Sequence, residues 1–251
     1  MANELYDALF APHARSEAVF IHTTDGQKIT FKEFVTLAGR VANALFESEL
    51  RQGDRIALQV EKSVEALAVY AACVQSGLVF LPLNIAYTPA EVEYFLEDSG
   101  ARAFICDPGK LNFFESVAQA FGITLSTLGK EGEGSLMAKT RQFSGNFETV
   151  DADTGSLAAI LYTSGTTGRS KGAMLTQGNL LSNARVLTDY WCFERSDRLL
   201  HALPIFHTHG LFVAVNVCLL SGASIIWMSR FDVDTVKKHL LEATTMMGVP
   251  T

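Results

Sequence analysis

Leu157-Ala158-Ala159-Ile160-Leu161-Tyr162-Thr163-Ser164-Gly165-Thr166-Thr167-Gly168-Arg169-Ser170-Lys171-Gly172 decides the reading of this sequence. The first six residues are apolar or aromatic and read as a buried strand. The next ten hold five hydroxyl side chains, three glycines and two cations. Glycine lets a backbone approach a ligand closely and aim its N–H groups at one point. Hydroxyls donate to phosphate oxygens, and Lys171 and Arg169 supply positive charge. Such a run after a strand is a phosphate cradle. A solvated Gly/Ser/Thr loop is the plainer alternative. The Walker pattern is excluded, because Lys171 follows Ser170 and precedes Gly172. No G-x-G-x-x-G follows an expected strand, so a dinucleotide site is unsupported.

Outward from this loop, strand and helix patterns alternate. Upstream, Thr30-Phe31-Lys32-Glu33 and Thr88-Pro89-Ala90-Glu91 have the spacing of capping boxes. They predict helices over Phe34–Leu45 and from Pro89 to Gly100. A helix is also predicted from Ser63 to Ser76 and another over 112–121. Strands are predicted over 55–60, 79–83 and 103–106. Downstream, strands are expected at 198–203, 223–228 and 245–249. Helices are expected at 177–190, near 211–220 and at 233–241. Alternating, mostly apolar strands predict an α/β fold of largely parallel sheets covered by helices. The Gly-, Ser-, Lys- and Glu-rich stretch 129–154 reads as a connector between a first α/β subdomain, 1–128, and the start of a second, 155–251. The closing Gly248-Val249-Pro250-Thr251 reads as a strand entering a turn. It predicts the front part of a longer protein.

The 251 residues are 48% hydrophobic and 19% charged, enough apolar content for a large core. A net charge of -7 argues against a nucleic-acid partner held by a basic face. Residues Leu199 to Ser229 contain no Asp, Glu, Lys or Arg. His201, His207, His209, Asn216 and the break at Ser221-Gly222 predict two strands and a short buried helix there, with no membrane span. Cys73, Cys106, Cys192 and Cys218 form no Cys-x-x-Cys pair and read as reduced core residues of a cytoplasmic protein. The N-terminus shows no signal-peptide pattern. Trp191, Trp227 and the Met246-Met247 pair read as packing residues. Glu194 and Asp197 read as turn residues, though an acid pair is the alternative. His207-Thr208-His209 lacks a suitably spaced Cys or acidic ligand, so no metal site is expected there.

The stretch Tyr162–Gly172, YTSGTTGRSKG, closely resembles the signature of the adenylate-forming superfamily of acyl-CoA synthetases, adenylation domains and luciferases. Ile29–Phe34, Ala72–Asn84 and Leu203–Gly210 resemble three further motifs of that superfamily, in order. Ser170 departs from the Pro of many relatives. Within the superfamily the chain most resembles malonyl-CoA synthetases, through Glu61–Leu67, Leu81–Thr88, Arg169–Gly172 and His201–Leu211.

The resemblance implies the layered α/β subdomains of that family's N-terminal domain, truncated, with the C-terminal lid absent. It implies ATP-dependent joining of malonate or methylmalonate to coenzyme A through an acyl-adenylate, with ATP, Mg2+ and coenzyme A taking part. Another carboxylate, or a nucleotide-binding fragment without turnover, are the alternatives. Thr163, Ser164, Gly165, Thr166, Thr167, Gly168 and Lys171 would hold ATP phosphates, and Lys171 would also be catalytic. His207 would lie beside the acyl carboxylate and α-phosphate as the second catalytic residue, with His209 its alternative. By the same resemblance, the adenine, ribose and magnesium contacts and the Arg for a distal carboxylate come after Thr251.

Overall fold

Local hydrogen bonds set the helix starts. Thr30 and Thr88 each accept from the backbone N–H three residues on, and Glu33 and Glu91 reach back to the threonine N–H. Thr176 does the same with Asn179. The computed structural model describes residues 3–163 and 169–249. In chain order it has α1 (Glu4–Leu9), β1 (Val19–Thr23), β2 (Lys28–Thr30), α2 (Phe31–Glu47), β3 (Arg55–Gln59) and α3 (Val64–Ser76). Next come β4 (Val79–Pro82), α4 (Pro89–Ser99), β5 (Ala103–Cys106), α5 (Leu111–Phe121), β6 (Thr124–Thr127) and α6 (Ser135–Thr140). Then follow β7 (Leu157–Thr163), β8 (Lys171–Thr176), α7 (Gln177–Tyr190) and β9 (Arg198–His201). A π-helical turn (His209–Val215) leads into α8 (Asn216–Ser221), β10 (Ser224–Trp227), α9 (Val233–His239) and β11 (Thr245–Met246).

The strands form two sheets, ordered β6-β5-β3-β4-β7-β8 and β11-β9-β10-β1-β2. Pairing is parallel except at one edge of each, where β7 meets β8 and β1 meets β2 antiparallel. Helix α3 is apolar on all sides and is buried along nearly its whole length. Its Tyr70 packs on Phe80 of β4 and on Phe212 of the π turn. Its hydroxyl bonds Asn216 at 3.1 Å. One core therefore reaches both sheets.

The division expected at 128 and 155 does not follow the sheets. β7 and β8 complete the sheet built by β3 to β6, while β1 and β2 join the sheet of β9 to β11. Composition marks where a chain loops, but strand partners are chosen by long-range packing. The 129–154 stretch is also more than a connector. It carries α6, and its later part is strapped to α2. Asn43 donates to the Ser144 and Asn146 carbonyls at 3.3 and 2.9 Å. A Cβ on Gly39 would stand 2.0 Å from the Gly145 carbonyl oxygen, so only glycine permits this contact.

Strands β1, β2, β6 and β8 and helix α1 have no clear sequence signal; each is short, or half-exposed with a weak apolar pattern. Three packing assignments are corrected. Cys192 is exposed, with a φ of 52°, because it sits in the turn after α7 rather than in the core. Trp191 and Met246 are exposed as well, at the end of α7 and on the edge strand β11. Trp227, Cys73, Cys106 and Cys218 are buried as expected. Asp197 accepts from the Glu194 N–H at 2.9 Å and the Thr244 hydroxyl at 2.7 Å, which makes it a turn residue.

Candidate active site

Strand β7 crosses the core through Ala158, Ala159 and Ile160 and emerges at Thr163. The chain returns along β8, with Lys171 in register opposite Thr163. The two loop ends thus lie side by side, both exposed. Ser164, Gly165, Thr166, Thr167 and Gly168 lie outside the described residues. Both arms of the loop rest on α4. Tyr162 donates its hydroxyl to Asp98 at 2.6 Å and packs on Phe95, ring centroids 4.3 Å apart. Partial burial, together with the Asp98 carboxylate, raises the Tyr162 pKa. On the other arm, the Tyr94 hydroxyl donates to the Ser170 carbonyl at 3.0 Å, and the Arg169 guanidinium lies 5.1 Å from the Tyr94 ring. Proline at position 170 would keep that carbonyl contact. Tyr94 and Asp98 escape sequence reasoning, because nothing local links α4 to a loop so far along the chain.

His207 comes from the other sheet, on the loop after β9. Its ring packs on Phe206, centroids 4.6 Å apart, and desolvation there lowers its pKa although solvent reaches the residue. Thr163 and His207 line one cleft of about 90 Å³, together with Pro82, Asn84, Tyr87 and Phe206. Phe206 also walls a larger cleft of about 460 Å³ whose lining includes Lys62, Ile85, Arg230 and Phe231. His209 lies in the π turn and lines neither cleft, and Lys171 lines neither.

The small cleft opens at the carboxyl ends of β4 and β7, one strand over from a reversal of strand order. From β3 the chain steps to β4 on one side, then crosses to β5 on the other. Ligands of open α/β sheets bind outside the carboxyl ends of strands at such a reversal. Pro82 and Thr163 are the carboxyl ends of β4 and β7. Gln59, at the end of β3, holds the Asn84 and Tyr87 carbonyls at 2.9 and 3.0 Å. Among the described residues, no group of three or more His, Cys, Asp or Glu stands close enough to hold a metal ion.

This layered architecture is that of the N-terminal domain of adenylate-forming enzymes. The chain belongs to the AMP-binding enzyme family, whose model matches residues 10–251. It is 48% identical to apo MatB from Rhodopseudomonas palustris, with a TM-score of 0.96, over 100% of this chain and 50% of that one. To ATP-bound MatB from the same organism the values are 49% and 0.96, with the same coverage. A feruloyl-CoA synthase of an Amycolatopsis species is 34% identical over 90% of this chain and 44% of its own length. A mitochondrial malonate–CoA ligase, ACSF3, of Xenopus laevis is 31% identical over 70% of this chain and 31% of its own length. The chain spans less than half the length of these curated relatives.

Proposed function

We propose that this chain supplies the phosphate loop and the His207 loop of an acid–thiol ligase joining malonate or methylmalonate to coenzyme A with cleavage of ATP. The observation that carries this reading is the meeting of Thr163 and His207, from different sheets, in one cleft at the carboxyl ends of β4 and β7. A carboxylate oxygen attacks the α-phosphorus and the bond to the β-phosphate oxygen breaks, giving acyl-adenylate and pyrophosphate. The coenzyme A thiolate then attacks the acyl carbon, and AMP leaves. Both reactants of the first step are anions, so the site must screen charge and fix an in-line approach. Thr163, Lys171 and the hydroxyls and N–H groups of Ser164 to Gly168 hold the phosphates that leave. His207 orients the carboxylate or donates to an α-phosphate oxygen. The motif resemblance puts the acidic Mg2+ ligand after Thr251, and among the described residues no group of three or more His, Cys, Asp or Glu stands close enough to hold a metal ion.

The malonate choice is supported by the motif resemblance and by the Xenopus ligase. The likeness to a feruloyl-CoA synthase favours a second reading, a ligase for another carboxylate. A cytoplasmic location fits four free cysteines. Among the described residues no helix is long and apolar enough to cross a membrane. Carboxylate-dependent ATP–pyrophosphate exchange and thioester formation by the full-length protein test the proposal. Malonate or methylmalonate should outperform acetate, ferulate and a long-chain acid. A preference for one of the latter three rejects the malonate assignment and keeps the ligase, whereas exchange with none rejects the ligase.

A further inference from the structure

His201 closes β9 and is 1% exposed. Its Nε2 lies 2.6 Å from the Gly210 carbonyl oxygen, and its Nδ1 lies 2.6 Å from Lys62 Nζ. A carbonyl can only accept, so Nε2 carries the proton and Nδ1 accepts from the lysine. Lys62 gives a second N–H to the His201 carbonyl at 2.8 Å. Its remaining side faces Trp227, 4.2 Å from the ring centroid, and that ring also stacks on His201. All these partners are neutral, and among the described residues no carboxylate pairs with Lys62. Burial accordingly pushes Lys62 well below the ordinary lysine range.

A buried amine without a counter-charge is costly, and a methyl-ended chain of the same length would fill the space more cheaply. What the amine provides is direction. It locks the His201 ring, and the ring holds the Gly210 carbonyl. Gly210 in turn lies flat on the loop's start, where a Cβ would stand 2.0 Å from the Pro204 carbonyl oxygen. The loop 204–210 is thus closed at its base, and His207 sits on the closed part, its carbonyl accepting from Leu211 N–H at 3.1 Å.

We propose that Lys62 and His201 are positioning residues for His207: the chain Lys62 Nζ to His201 to the Gly210 carbonyl fixes the loop that presents it. This rests on the proposed role of His207 beside the reacting carboxylate. The test uses full-length protein as wild type, Lys62→Met and His201→Gln, with Lys62→Met repeated in a His207→Ala background. Two readouts are taken: pyrophosphate exchange with the most active of malonate, methylmalonate, acetate and ferulate, and amide hydrogen exchange over residues 204–211.

Displacing a reacting group by an ångström costs roughly 10²-fold. Lys62→Met should lower the saturated exchange rate by up to that factor, leave the KM for ATP unchanged, and speed amide exchange in 204–211. His201→Gln, whose amide can still donate to Gly210, should keep most of the rate. In the His207→Ala background Lys62→Met should have no further effect. A wild-type rate or unchanged amide exchange in Lys62→Met overturns the inference. An undiminished effect without His207 does the same. If Lys62→Met does not fold, Gly210→Ala opens the same loop with Lys62 intact, and a wild-type rate there is equally fatal. A wild type inactive with every acid sinks the ligase reading and the positioning role with it. Amide exchange then still reports whether Lys62 holds the loop.

Discussion

Replacing His201 by Gln should flatten the acid limb of the protein's stability. Burial, reinforced by neighbouring Lys62, holds His201 down to about 3 from an ordinary 6.5. Between those values the unfolded chain binds a proton that the folded chain refuses. Stability from this residue is therefore fully present above 6.5, falls as pH drops below it, and stops falling near 3. One pKa unit is worth about 1.4 kcal/mol, so lowering the pH from about 7 to about 5 removes roughly 2 kcal/mol. His13, His22 and His207 also have lowered pKa values, all chiefly through burial, but they are present in both proteins and cancel in the comparison. The measurement is urea unfolding of wild type and His201→Gln at the two pH values, followed by tryptophan fluorescence, since Trp227 stacks on His201. Wild type should lose about 2 kcal/mol more than the variant. An equal loss in both would show that His201 is protonated in the folded protein, and the tautomer assignment above would then be wrong.

Lys171→Ala should lower pyrophosphate exchange by about 10²–10³-fold, as for loss of a transition-state donor. Its melting temperature should stay at the wild-type value, because Lys171 is exposed at the start of β8; normal exchange would remove the residue from the phosphate site. Tyr162→Phe loses a 2.6 Å hydrogen bond to an exposed carboxylate and should cost about 1 kcal/mol in urea unfolding. Wild-type stability would show that Asp98 does not anchor the loop arm. Gly39→Ala should cost about 1–3 kcal/mol through overpacking against Gly145, and a neutral result would mean that 144–146 does not lie on α2.

Residue types alone reveal much of the site's composition, though not its assembly. The run after Tyr162 announces anion binding through its hydroxyls, glycines and cations, and His207 stands out in a segment without formal charge. Nothing in the sequence shows that Tyr94 and Asp98 of α4 brace the loop, or that Lys62 reaches His201. Those partners are far apart in the chain and follow no period. The acid pair Glu194 and Asp197 shows the opposite case, where a short-range turn reading sufficed.

The sequence by itself determined the helix starts at Thr30, Thr88 and Thr176 and the apolar strands of the α/β alternation. Caps close within four residues and strand character follows local apolar content, so neither needs a distant partner. Only the tertiary structure decided that β7 and β8 leave the later strands for the earlier sheet, and that β1 and β2 do the reverse. That exchange brings the end of β7 and the loop after β9 to one cleft, which Thr163 and His207 both line. Strand pairing is chosen by whichever long-range contacts bury the most apolar surface together, and that choice belongs to the whole core.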